Sequence, residues 1–366
     1  MNYSGIGSNS EPGGPRFKVV EFQLQQACNV QCLYCGYEQE FSRTGDYLPL
    51  ELMERTLGQD LGPCPPEWVW LEGGEVTMDD SSRAYLLQAL ELIQRLGIRS
   101  RINTNAQKCS PAFSRELARA GLSFACVSCD STDPDLFSWM RGQKSTNSRE
   151  LWEEFNHNVQ GLLEAGITVD LEVTLNRYNT GELERVYEYV ESFNSSNIMM
   201  GVQFLVATAD HIFPLYPDPL TQHQALKNLL ERAEKGTVPL RICCCSLVPC
   251  RYPDLYRPRK NVIWVGCTCG YNYVHVHATG HVFLCGFWDH RQPLGNLKEK
   301  SLVEIWQESR MRQESQVIRP QQCRDCKFWE GKYRCHNTCF AVVHRRTGSF
   351  HREAYGLIEE ALNERK

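Results

Sequence analysis

Cys28, Cys32 and Cys35 stand in the run C-N-V-Q-C-L-Y-C, three thiols within a span short enough to meet on one metal centre. A cubane iron–sulfur cluster is ordinarily held by four cysteines, so three leave one iron open to another ligand. The spacing is too open for the paired CxxC of a zinc ribbon. The plain alternative is a loop that carries three incidental thiols. The preceding run, Lys18 to Leu24, reads as a strand. The thiols therefore follow a strand's C-terminal end, where barrel-type sheets carry their chemistry.

Seven further cysteines (Cys267, Cys269, Cys285, Cys323, Cys326, Cys335 and Cys339) crowd the last hundred residues, and Cys243, Cys244, Cys245 and Cys250 lie just upstream. Cys64, Cys109, Cys126 and Cys129 are scattered and read as small buried hydrophobes. The chain has 366 residues, 42% of them hydrophobic and 23% charged, with a net charge of -5. That is the balance of a globular protein, and it gives no electrostatic case for nucleic acid or an anionic membrane. No apolar run reaches the ~18 residues of a membrane span, and Met1 to Pro15 lacks the layout of a signal peptide. These features predict a cytoplasmic protein. In a reducing compartment its 18 cysteines are better metal ligands than disulfides.

Apolar runs at 18–24, 67–72, 98–103, 122–128, 167–175 and 199–206 alternate with helical patterns near 50–60, 82–96, 112–120, 149–165 and 181–193. Such alternation predicts an α/β fold with a parallel sheet. Six steps suit a partial (β/α)6 TIM-like barrel rather than the closed eight-fold one. A Pro- and Asp-rich stretch at 207–222 reads as the way out of the barrel, with one more helix near 220–235. The expected units are a disordered tail over 1–16, the barrel over 17–236 and a small Cys-rich domain over 237–366. In the last, alternation from Tyr271 predicts a hairpin to Cys285, and Ser301 with Glu304 forms a capping-box pattern for a helix through about Met311.

The cysteine motif with Tyr34 between its last two thiols resembles that of the radical SAM enzymes. Gly73-Gly74-Glu75-Val76, after the second strand, is similar to that family's Gly-Gly-Glu-Pro, which holds the methionine amine of S-adenosyl-L-methionine; Val76 replaces the proline. Asn103-Thr104-Asn105, with Ala106 beside it, resembles a Thr-Asn-Gly turn, and Ser128-Cys129-Asp130 resembles a Ser-x-Asp that contacts the cofactor. Arg141 and Thr174 fall where the same cavity is expected, with Glu172 and Asn176 beside them. The resemblance spans roughly residues 17–206. It implies one 4Fe–4S cluster on Cys28, Cys32 and Cys35, and S-adenosyl-L-methionine held by Tyr34, Gly73, Gly74, Glu75, Asn103, Ser128, Asp130, Arg141 and Thr174. It also implies one-electron cleavage to a 5′-deoxyadenosyl radical, fed by a reducing partner such as flavodoxin or ferredoxin.

Cys267-Thr268-Cys269, Cys285, the pair Cys323 and Cys326, and the pair Cys335 and Cys339 resemble the SPASM extension of these enzymes, over about 262–345, which implies one or two auxiliary 4Fe–4S clusters. The alternative is a pair of zinc sites. Eight residues separate Cys326 from Cys335, more than in the related pattern, and no cysteine follows Cys339. One cluster can be filled by Cys267, Cys285 and Cys339 with Cys269 or Cys250. A second, on Cys323, Cys326 and Cys335, takes Cys269 or His344, stays open, or is absent. Cys250 and its neighbours are either structural thiols or donors of a hydrogen atom to a substrate radical. His275 and His277 share a strand face and read as structural. The acidic base that sulfatase-maturing relatives carry after the hairpin cysteine is Gly286 here, and Asp289 is its nearest substitute.

The resemblance implies that a hydrogen atom is taken from the substrate: a ribosomally made peptide that is oxidised, or else a small sugar or aminocyclitol that is dehydrogenated or epimerised. No peptide-recognition domain is expected in the roughly 17 residues before the first strand, so a peptide would come through a separate recognition protein or a direct groove. A non-catalytic electron carrier would have no use for the cofactor-binding turns.

Overall fold

The computed structural model describes residues 15–36, 47–143, 147–206, 208–243, 252–317 and 339–347. Eight strands lie side by side in chain order, each parallel to the next: β1 (Val19–Gln25), β2 (Trp68–Gly73), β3 (Arg99–Thr104), β4 (Leu122–Ser128), β5 (Thr168–Leu175), β6 (Ile198–Phe204), β7 (Leu240–Cys243) and β8 (Val262–Val265). Parallel neighbours need long crossovers. These contain α1 (Leu50–Glu54), α2 (Asp80–Arg95), α3 (Pro111–Arg119), α4 (Pro134–Met140), α5 (Ser148–Glu164), α6 (Leu183–Ser192) and α7 (Pro219–Lys235). Three of them begin at a side-chain cap followed by proline: Ser110-Pro111, Asp133-Pro134 and Asp218-Pro219. The cap oxygen satisfies an open N–H of the first turn, and proline has no N–H to leave open.

The predicted partial barrel is the middle of a wider sheet. β7 and β8 extend it past the sixth repeat. On the other edge β9 (Tyr273–Val276) pairs parallel with β1, followed by β10 (His281–Phe283) and β11 (Gly295–Asn296), giving eleven strands. The sheet thus runs through the boundary expected at 236/237, which fell in a crossover between paired strands. Further on, α8 (Leu302–Glu308) opens on the capping box of Ser301 and Glu304 but stops at Ser309, short of the expected Met311. Next come α9 (Arg310–Val317) and α10 (Phe340–Thr347).

Alternate strand positions separate two kinds of burial. Val20, Phe22, Leu24, Val69, Leu71, Ile102, Val127, Val169, Leu171 and Val202 belong to the hydrophobic core shared with the helices. The opposite register carries Glu21, Gln23, Gln25, Arg101, Asp170, Arg241 and His275, all buried. A parallel strand covered by apolar layers on both faces reads as continuously hydrophobic. The polar register therefore marks the barrel interior, where these groups must find partners in one another or in a ligand.

Candidate active site

The cysteine loop leaves β1 and is clamped from two sides. On one side Gly74 N donates to Gln25 O (3.0 Å) and Glu75 N to Ala27 O (2.8 Å). On the other, Gln31 N donates to Arg141 O (3.0 Å) and Leu33 N to Met140 O (2.9 Å). Both clamps require glycine. A Cβ on Gly74 would stand 1.9 Å from Ala27 O, and one on Gly142, where φ is +66°, would stand 2.2 Å from Gln31 O. Only a residue without Cβ permits such approach. Cys28, Cys32 and Cys35 are half-buried on this loop.

Glu75 ties the β2 and β3 turns together. One carboxylate oxygen accepts from Thr77 N (3.1 Å), Thr77 Oγ1 (2.7 Å) and Thr104 Oγ1 (2.6 Å), and the other from Asn105 N (2.6 Å). Asn105 Nδ2 in turn donates to Asn29 Oδ1 (2.8 Å) on the cysteine loop. The residue against the loop is thus Asn105, followed by Ala106 at φ +59°. Asn103 instead faces the interior, accepting from Arg101 Nε (3.2 Å) and donating to Glu72 Oε2 (3.3 Å). The turn is Thr104-Asn105-Ala106, one residue later than the expected match, with alanine in the left-handed place usually taken by glycine. Asp130 accepts from the Tyr34 hydroxyl and from Thr174 N (2.8 Å), and burial pushes its carboxyl up to about 6. Arg141 donates to Asn105 O (3.1 Å) and Ser128 O (2.5 Å), so Ser128 and Thr174 engage this network through their backbones.

A second thiol group gathers at the N-terminal end of β9. Cys269 lies within hydrogen-bonding reach of Cys267 and Cys285, and Cys339 is close enough for its thiol to feel both Cys285 and Cys267. Contacts with Cys267 and Cys285, then burial, push the Cys269 thiol well up. Burial pushes Cys32 up to about 12. Thiols in such settings ionise against a metal's charge, so both groups fit a metal cluster. His344 packs its ring on Trp288 (centroids 4.9 Å apart). Asp289 is held in a two-toothed pair by Arg291 Nε (2.9 Å) and Nη2 (2.8 Å), which keeps it anionic and below the usual carboxylate range. Cys244, Cys245, Cys250, Cys323, Cys326 and Cys335 lie outside the described residues.

Within the barrel interior Glu172 was expected beside the cofactor cavity and His275 as structural, whereas Glu21, Glu72, Asp170 and Arg241 were not singled out. Arg241 bridges Asp170 (Nε to Oδ2, 2.6 Å) and Glu172. Glu21, Glu72 and His275 bring their polar atoms within 4.8 Å of one another. The signal was available in β1, where Glu21, Gln23 and Gln25 alternate with apolar residues in a strand flanked on both sides.

A parallel α/β sheet with a clamped three-thiol loop at one end of β1 and a four-thiol group near β9, its neighbour in the sheet, has the construction of an iron–sulfur protein. Residues 22–190 match the radical SAM superfamily, and residues 267–327 match SPASM, an iron-sulfur cluster-binding domain. The chain belongs to the radical SAM superfamily with a SPASM-type C-terminal domain, and its cofactors are S-adenosyl-L-methionine and 4Fe–4S clusters. It is similar to the Fe-coproporphyrin III synthase of Methanosarcina barkeri, with 24% identity over 79% of this chain and 73% of that protein. It is also similar to the PqqA peptide cyclase of Rhizobium meliloti, with 25% identity over 83% of this chain and 78% of that one. The structure of Streptococcus suis SuiB bound to the precursor peptide SuiA shares the fold, with a TM-score of 0.70 at 16% identity, covering 93% of this chain and 76% of SuiB. No described helix is long and apolar enough to cross a membrane.

Proposed function

We propose that this radical SAM enzyme oxidatively modifies a ribosomally made peptide. Cys28, Cys32 and Cys35 would hold the cluster that binds S-adenosyl-L-methionine, and Cys267, Cys269, Cys285 and Cys339 an auxiliary cluster. With the cofactors bound, reductive cleavage supplies a 5′-deoxyadenosyl radical that takes a hydrogen atom from substrate. The chain's own part is positioning. Gly74 and Gly142 let the loop seat against its clamps, Glu75 fixes the Asn105 turn, Asp130 steadies Tyr34, and Arg141 joins the ends of β3 and β4 to the loop. The observation that carries the oxidative reading is the pairing of β9 with β1, which ties the auxiliary thiols to the strand bearing the radical-forming loop. The peptide reading is supported by the names of PqqA peptide cyclase and of SuiB with its precursor peptide. The relation to Fe-coproporphyrin III synthase, with the enclosed polar interior, favours a small carboxylated molecule as the competing substrate.

The test is anaerobic reconstitution with iron and sulfide, followed by S-adenosyl-L-methionine, a reduced flavodoxin or dithionite, and short peptides encoded beside this chain's gene. The expected result is 5′-deoxyadenosine together with a peptide two hydrogens lighter. Cys269→Ala should lose about four irons per chain and that product. Peptides returned unchanged, with turnover of a tetrapyrrole carboxylate or a sugar instead, would overturn the peptide reading.

A further inference from the structure

Three strands bring unlike proton carriers together inside the barrel. His275 Nδ1, from β9, lies 2.9 Å from Glu21 Oε2 of β1 and 3.5 Å from Glu72 Oε1 of β2. The Tyr273 hydroxyl donates to the same Glu21 oxygen, and Glu21 is hydrogen-bonded to Glu72. Two carboxylates in that contact can hold one proton between them, and burial favours its uptake. Arg101 of β3 contributes the nearby positive charge. A cation already beside the pair makes a proton, rather than a divalent metal, the better partner for it. Acceptance by Glu21 fixes the imidazole with its proton on Nδ1, which leaves Nε2 as a bare acceptor. That Nε2 is fully buried and has no hydrogen-bond partner among the described residues, while its ring lies parallel to His290 at 6.4 Å. An orphaned buried acceptor calls for a donor from elsewhere.

We propose that His275 and the Glu21–Glu72 pair accept the proton released when substrate is oxidised. This rests on the oxidative reading above. The substrate loses a hydrogen atom to the 5′-deoxyadenosyl radical, one electron to the auxiliary 4Fe–4S cluster and one proton to His275 Nε2. The proton on Nδ1 passes to Glu21, so the imidazole is neutral before and after, and the substrate is two hydrogens poorer. Burial supports this division of labour: it lowers His275, which disfavours a lasting imidazolium, and raises Glu21 to about 7.

The test needs no substrate at its first stage. Infrared spectra of the reconstituted holoprotein across neutral pH should show a carboxylic-acid carbonyl band that disappears with a midpoint near 7. Glu21→Gln should lack the titrating band, and Glu72→Gln serves as a second variant should the first fail to fold. No titrating band, a band unchanged in both variants, or a stoichiometric divalent metal that abolishes it would each overturn the proposal. With a turnover assay in hand, product formed per 5′-deoxyadenosine should fall roughly fivefold from pH 7 to pH 6. A flat yield would refute the relay even where the band titrates. Absence of any product while the band titrates would count against the peptide reading alone.

Discussion

Replacing Gly74 by alanine puts a Cβ 1.9 Å from the Ala27 carbonyl oxygen, where ordinary contact begins near ~3.5 Å. That oxygen belongs to backbone, so the strain cannot be relieved by turning a side chain. The cysteine loop must move away from the end of β2 by more than about 1 Å, and the bond from Glu75 N to Ala27 O, 2.8 Å long, is lost with it. A displacement of about 1 Å at a reacting centre is worth on the order of 10²-fold in rate. Overpacking of this kind costs about 1–3 kcal/mol in stability. Gly74→Ala should therefore fold, bind iron and cleave S-adenosyl-L-methionine about 10²-fold more slowly than the parent. Gly97→Ala is the matched control. Its φ of +70° strains an alanine backbone, yet nothing lies within 4 Å of the added Cβ. It should lose about 1–2 kcal/mol of stability and none of the cleavage rate. The measurements are 5′-deoxyadenosine formation under dithionite, iron content and thermal unfolding. Parent-like cleavage by Gly74→Ala, or equal loss in both variants, would refute the argument from close approach.

Two other perturbations read the polar interior and the hairpin. Arg241→Leu strands Asp170 and Glu172 without their partner, and with Asp170 fully buried the loss should be about 3–5 kcal/mol. A guanidinium chloride midpoint within the error of the parent would show that the carboxylates find another partner. Burial lowers His277 from 6.5 to about 3, so the unfolded chain takes up the proton first and the folded state loses stability as pH drops from 6.5 towards 3. That loss runs at about 1.4 kcal/mol per pH unit for an isolated group. His277→Gln should flatten the fall in thermal stability between these limits, and parallel curves for variant and parent would count against it.

What could be read from the sequence was local. The three-thiol loop, the Gly73-Gly74 turn and the capping box of Ser301 and Glu304 each declare themselves within a few residues, because spacing and backbone demand fix them there. The third turn was misplaced by one residue: the left-handed position signals itself by glycine, and here Ala106 occupies it. Asp289 looked available from its distance to Cys285 along the chain, but an interaction two residues away, with Arg291, already occupies its carboxylate. β7 and β8 are four residues each, too short for periodicity to register, and so the sheet was read as narrower than it is. The contact between Glu21 and His275 joins residues 254 positions apart, and no periodic pattern within either strand contains it.

The strand pair that makes this long-range contact also sets where the two thiol groups lie relative to one another. β9 lies parallel to β1 with Tyr273 opposite Val19 and Val276 opposite Phe22. Cys269 and Cys285 therefore belong to the end where β1 begins, while Cys28 follows the end where it finishes. Seven residues of β1 span about 20 Å at ~3.3 Å each, which sets the scale of the gap between them. Glu21, His275 and Glu72 fall between the two ends, on the face where the buried polar groups gather. A substrate lying along that face would have a radical source at one end, an electron acceptor at the other and a proton acceptor in between. Sliding β9 by one residue against β1 would turn His275 to the opposite face and separate the acceptor from its carboxylates. The register of this one strand pair is therefore as much a part of the chemistry as the cysteines.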